Sequence, residues 1–146
     1  MVKNIASFIL LVVICVSCGK HEYPSALVEA DSLCYSNPKQ ALEKLAQIRK
    51  DLDTTNTADW MYFRLVKLKA QDKAYIPHSD LTNLNQIIAY YEGKGDKKML
   101  PETYYLAGST YFDLHDSPQA LDYYHKVLDN ITADEHLRLW GITHAQ

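Results

Sequence analysis

The chain has 146 residues, of which 15 are basic and 18 acidic, giving a net charge of −3. An acidic balance argues against a nucleic-acid surface, which carries a basic excess on one face.

Lys3 is the only charge before Lys20, and Ile5 to Val16 is an apolar run interrupted only by Ala6, Ser7 and Cys15. A basic start followed by a short apolar stretch reads as a signal peptide over residues 1–17, because the run falls short of the roughly 20 residues a membrane span needs. It ends in Val16-Ser17-Cys18-Gly19, which resembles a bacterial lipobox with Cys15 where Leu is commoner. The resemblance implies cleavage before Cys18, acylation of its thiol, and attachment to a membrane through the lipid. The other reading is an ordinary secretory peptide or a short membrane anchor. Cleavage at Cys18 removes Lys3 and leaves 14 basic residues against 18 acidic. It also removes Cys15, and with Cys18 acylated Cys34 is the remaining free thiol and no disulfide forms within the chain. Gly19-Lys20-His21-Glu22 lacks the acidic run that resembles a surface-export signal, so the expected location is the cell envelope, facing the periplasm.

Residues 18–23 form the lipidated tether, and 24–146 form the helical domain. Pro24 and Ser25 open a first helix to about Tyr35, with Ala26, Leu27, Ala30 and Leu33 on one stripe. Asn37 caps a second helix with Pro38 at its first position, and Ala41, Leu42, Leu45 and Ile48 make its apolar face. The two form a hairpin over 24–52. A second hairpin spans 57–95, with a helix from Thr57 to Ala74, a turn at Ile76-Pro77-His78-Ser79 and a helix from Asp80 to Glu92. Its first helix carries Trp60, Met61, Tyr62, Phe63, Leu65, Val66 and Leu68 but no glycine, so no repeat positions are assigned there. Gly93-Lys94-Gly95 follows a helix, lacks the phosphate-loop spacing, and reads as a helix C-terminus.

The third hairpin, 98–131, carries the clearest motif. From Tyr104 the chain reads Y-x2-A-G-x2-Y, followed by Ala120-x3-Tyr124. This spacing resembles a tetratricopeptide repeat. On a frame starting at Pro101, Tyr104, Ala107, Gly108 and Tyr111 fall on the first helix and Ala120 and Tyr124 on the second. Val127 stands in place of Ala and Thr132 in place of Pro. Two antiparallel helices approach closely only where side-chain bulk is missing, and Gly108 and Ala120 supply that gap while tyrosines fill the flanks. Leu at Gly108 is expected to force the pair apart, and Ala to be nearly neutral. Gln40-Ala41-Leu42-Glu43 matches Gln119-Ala120-Leu121-Asp122 at an offset of 79 residues, two repeats of about 40.

Thr132-Ala133-Asp134-Glu135 is a capping-box pattern opening a partial repeat over 132–146, whose Leu137, Leu139, Trp140 and Ile142 meet no following helix. An uncovered apolar face of that kind associates or aggregates. The expectation is an N-terminal fragment of a longer protein. The segments H-E-Y-P-S-A-L, D-K-A-Y-I-P-H and Y-Y-E-G-K-G-D-K-K also look like those of Bacteroidetes tetratricopeptide lipoproteins.

No catalytic constellation emerges. The six histidines form no i, i+4 pair, there is no G-x-S-x-G elbow, and Cys34 sits in an Ala/Leu-rich helix where a thiol packs. No metal, cofactor or enzymatic activity is expected. The resemblance implies instead that the first helices of successive repeats line a concave groove, with Glu102, Tyr105, Ser109, Phe112 and Asp113 facing it. Tyr105 and Phe112 would grip an apolar or extended protein segment, and Glu102 and Asp113 would favour basic neighbours. The competing reading packs the aromatics against the next repeat. The expected fold is an all-α, tetratricopeptide-like solenoid of about three hairpins and a final single helix. The expected function is a non-catalytic protein–protein interaction scaffold of the cell envelope that binds no nucleic acid. The alternatives are the sensory part of a membrane-tethered transcriptional regulator and a SusD-like glycan-binding lipoprotein.

Overall fold

The computed structural model describes residues 21–131 and 137–145. The expected signal peptide, the expected lipidation site Cys18 and the expected capping box at Thr132 lie outside the described residues. Every regular element described is helical: α1 (Ser25–Ser36), α2 (Pro38–Asp51), α3 (Thr57–Lys73), α4 (Leu81–Gly93), a turn of 3-10 helix (Lys97–Met99), α5 (Leu100–Asp113), α6 (Ser117–Asp129) and α7 (Leu137–His144).

The starts of these helices follow from short polar side chains that satisfy otherwise unpaired N–H groups. The Gln40 N–H donates to Asn37 at 3.2 Å, that of Asn83 to Asp80 at 2.9 Å, and that of Gln119 to Asp116 at 3.3 Å. The ends use a different device. Tyr75 and His115 take left-handed φ values of 55° and 61° just past α3 and α5. That geometry lets the Ile76 N–H reach Gln71 O at 3.0 Å and the Asp116 N–H reach Tyr111 O at 2.9 Å, closing both helices. Gly93 and Gly95, the expected helix-ending glycines, have no positive φ. The end of α4 is held by the Lys97 ammonium, which donates to Tyr91 O at 2.9 Å, Gly93 O at 3.2 Å, and Glu92 O.

Three hairpins, α1–α2, α3–α4 and α5–α6, stack in chain order, with α7 against α5 and α6. Each first helix meets the next first helix, and each second helix meets the next first helix. The second helices α2, α4 and α6 do not approach one another. Closeness within a hairpin varies, being greatest for α5–α6 and least for α3–α4. A Cβ built on Gly108 would lie 2.4 Å from the Tyr124 ring, so the backbone of α5 rests on that ring. This corrects the expectation that Ala is nearly neutral there, since Tyr124 is buried and beside Tyr105.

The core has two clusters. Leu27, Ala30, Cys34, Ala41 and Leu45 join Tyr62, Phe63, Val66 and Ala70 in one; Leu65 and Leu68 join α4 to α7 in the other. Helix α3 therefore gives side chains to both clusters and buries most of its circumference. The segment ahead of α1 also packs, with the Tyr23 ring 4.0 Å from Tyr62 and His21 Nε2 2.7 Å from Asp59 Oδ1. In α7, Leu139 is buried and Ile142 packs against the core; Trp140 is 37% exposed. Helix α7 thus turns Leu139 and Ile142 onto the preceding hairpin and leaves Trp140 partly open.

Candidate functional site

The first helices of the hairpins share one face, and on it sits a connected set of charged and aromatic side chains. Lys69 of α3 is the centre, only 8% exposed. Its ammonium lies 2.7 Å from Asp31 Oδ1 of α1 and 3.7 Å from Glu102 Oε2 of α5. The Tyr62 hydroxyl donates to Asp31 at 2.9 Å, and the Tyr35 hydroxyl donates to Glu102 at 3.0 Å. One turn further along α3, Lys73 lies 2.7 Å from Asp72 and 4.6 Å from the centre of the Tyr105 ring. The Ser109 hydroxyl donates to Asp72. Arg138 of α7 reaches across to the Tyr35 ring at 4.1 Å.

The titration directions follow from this arrangement. Burial pulls the Lys69 ammonium down, but Glu102 and Asp31 more than offset it and hold the group above its ordinary value. Lys73 is likewise opposed by burial and raised by Asp72. The Tyr35 and Tyr62 phenols are raised, first by burial and then by the carboxylates they bond, Glu102 and Asp31. Burial pushes the Cys34 thiol up to about 12, so at neutral pH it is protonated and a poor nucleophile.

The five residues expected to line the groove divide into two groups. Glu102, Tyr105 and Ser109 belong to the network; Tyr105 is buried, and the Glu102 carboxylate is engaged by Tyr35 and Lys69. Phe112 and Asp113 stand at the outer end of α5, Phe112 being 57% exposed. They border a cleft of about 460 Å³, which Tyr105 and Ser109 also line, together with Tyr75, Ile76 and His78 from the α3–α4 turn and Ile142 from α7. Asp113 Oδ2 is 3.8 Å from His78 Nδ1. Of the residues assigned to repeat packing, Tyr104, Ala107, Gly108, Ala120 and Tyr124 are buried, and Tyr111 stacks on Tyr123 with ring centres 5.6 Å apart.

Sequence reasoning missed Asp31, Tyr35, Lys69, Asp72 and Lys73. A lysine on a helix ordinarily reads as solvated. The available signal was the pairing of Lys69 and Lys73 at i, i+4 on a helix otherwise rich in apolar residues. Among the described residues no group of His, Cys, Asp or Glu is placed to hold a metal ion, and no helix is long and apolar enough to cross a membrane. Comparison with protein-family models, curated proteins and solved structures found no match.

Proposed function

We propose that this chain is a tetratricopeptide-like interaction scaffold, held to a bacterial envelope membrane by lipid on Cys18, that binds a protein segment at the face shared by α1, α3, α5 and α7. The observation that carries the reading is the contact pattern. First helices touch in series and second helices stay apart, which is how stacked helical hairpins generate a curved inner face. On that face the polar groups are already paired and held by packing, so ordering them costs a ligand little. The cleft beside Phe112, Tyr75 and Ile76 offers the apolar contact, and Asp113 at its rim offers a carboxylate to a basic neighbour.

Two experiments test the two halves of the proposal. A photo-crosslinking side chain placed at Phe112, in the producing bacterium, is expected to give a discrete adduct that the same group at Leu121, exposed on α6, does not. Identical adducts from both positions would reject the inner face as the binding surface. Cys18→Ser is expected to abolish fatty-acid labelling and release the protein from membranes, since acyl chains supply about 0.8 kcal/mol per buried CH2. Retained labelling would reject the anchor.

A further inference from the structure

The loose middle hairpin opens a second cleft on the opposite side of α3. Helices α2 and α4 both lie against α3 yet do not approach each other, and the gap between them holds about 980 Å³. Its floor is one stripe of α3 running from Trp60 through Arg64, Lys67 and Leu68 to Gln71. The eleven steps from Trp60 to Gln71 make that floor roughly 16 Å long at about 1.5 Å per residue. It is a trough, longer than a compact small molecule requires.

Charge separates this trough from the inner face. On the inner face Lys69 and Lys73 are each within 4.0 Å of a carboxylate. In the trough Arg49, Arg64 and Lys67 have no carboxylate that close among the described residues, and Asp80 is the one acid in its lining. Arg49 and Arg64 sit 4.9 and 5.8 Å from the centre of the Trp60 ring, which orders both guanidinium groups. Arg64 is further fixed by bonds of 2.6 Å to Asn83 Oδ1 and Gln86 Oε1. At the end of the trough His78 is only 7% exposed, and its Nε2 is buried without a partner. A buried unpaired ring nitrogen costs free energy unless something completes it.

We infer that this trough is a docking site for an extended acidic peptide segment of a partner protein. Glutamate or aspartate side chains meet Arg49, Arg64 and Lys67; an apolar side chain rests on Leu42 and Ala46 of α2; and the side-chain amides of Gln71, Asn83 and Gln86 are available to the peptide backbone. The floor of the trough lies across α3 from the inner face, and Pro77 and His78 line both the trough and the cleft beside Phe112.

The test uses the full chain in detergent and a fluorescein-labelled peptide of alternating glutamate and leucine, read by anisotropy. Saturable binding that weakens with salt is expected, with none for the glutamine–leucine counterpart. Arg49→Gln with Lys67→Gln is expected to weaken binding about tenfold, as two lost exposed charge pairs would. Lys98→Gln, a cation outside the trough, is expected to leave it unchanged. If the double variant loses its helical spectrum, Gln86→Glu replaces it, adding a carboxylate without removing a cation, and must weaken binding similarly. Absence of binding, equal binding of the glutamine peptide, indifference to the trough substitutions, or binding of anionic vesicles but not the peptide would each overturn the inference.

Discussion

Gly108 shows what a single hydrogen atom does at a helix crossing. Any Cβ there meets the Tyr124 ring, and that ring is itself confined by Tyr105. Gly108→Ala gains about 1 kcal/mol of helix propensity but loses more to overpacking, so a net destabilisation of about 1–2 kcal/mol is expected in urea titration. Gly108→Leu should exceed about 3 kcal/mol; equal midpoints for the two variants would show that Tyr124 moves aside freely. Lys69 tests the opposite kind of residue, a charge placed inside. Lys69→Ala strands Asp31 and Glu102 beside each other and is expected to cost about 2–4 kcal/mol, below the full buried-pair range because both carboxylates keep some water. A cost near zero would mean that the ammonium is solvated.

At the scale of elements, the start of α2 was legible because Asn37 caps it by a local rule, and local rules are visible in sequence; the caps at Asp80 and Asp116 obey the same rule but were not read as caps. The hairpin motif around Gly108 was legible for the same reason, since its spacing reflects contact between neighbours in the chain. Helix α3 was harder to place because it packs on both sides, which erases the one-sided stripe that marks an ordinary surface helix. The trough escaped the sequence because it depends on how far α4 stands from α2 across α3, which contacts distant in the chain set; of the other cleft, the α5 wall was anticipated and the α3–α4 turn and α7 were not. The ends of α1, α3 and α4 fall within a residue of expectation, but the closing device was not legible: Tyr75 and His115 occupy left-handed positions that usually fall to glycine. Each conformation costs an L-residue about 1–2 kcal/mol. His115→Gly is accordingly expected to raise stability by about 0.5–1 kcal/mol in denaturant titration, after the entropy glycine gives up. Tyr75→Gly should do the same, the side chain being 94% exposed, and in addition should reduce crosslinking from Phe112 if that cleft binds the ligand. No gain at either position would indicate that the backbone relaxes elsewhere.

For the molecule as a whole, the abundance of buried phenols fixes the alkaline limit. Burial and a hydrogen bond to Glu92 push Tyr104 up to about 12, and Tyr35, Tyr62 and Tyr91 are raised in the same direction. A group whose folded pKa is raised contributes stability that is complete below its unfolded pKa, about 10 for tyrosine, and that is lost as pH climbs through the folded value. Stability is therefore expected to hold through neutral pH and to fall between about pH 10 and 12, in step with phenolate absorbance. Complete phenolate absorbance near pH 10, with the helical signal intact, would contradict this.

Arg138 resting on Tyr35 joins the last described helix to the first through side chains alone. One cation and one ring thus tie the two ends of the stack, α1 and α7, which share no backbone contact. Loss of that single contact, in Arg138→Ala, is expected to free α7 from α1 while leaving its packing on α5 and α6 in place.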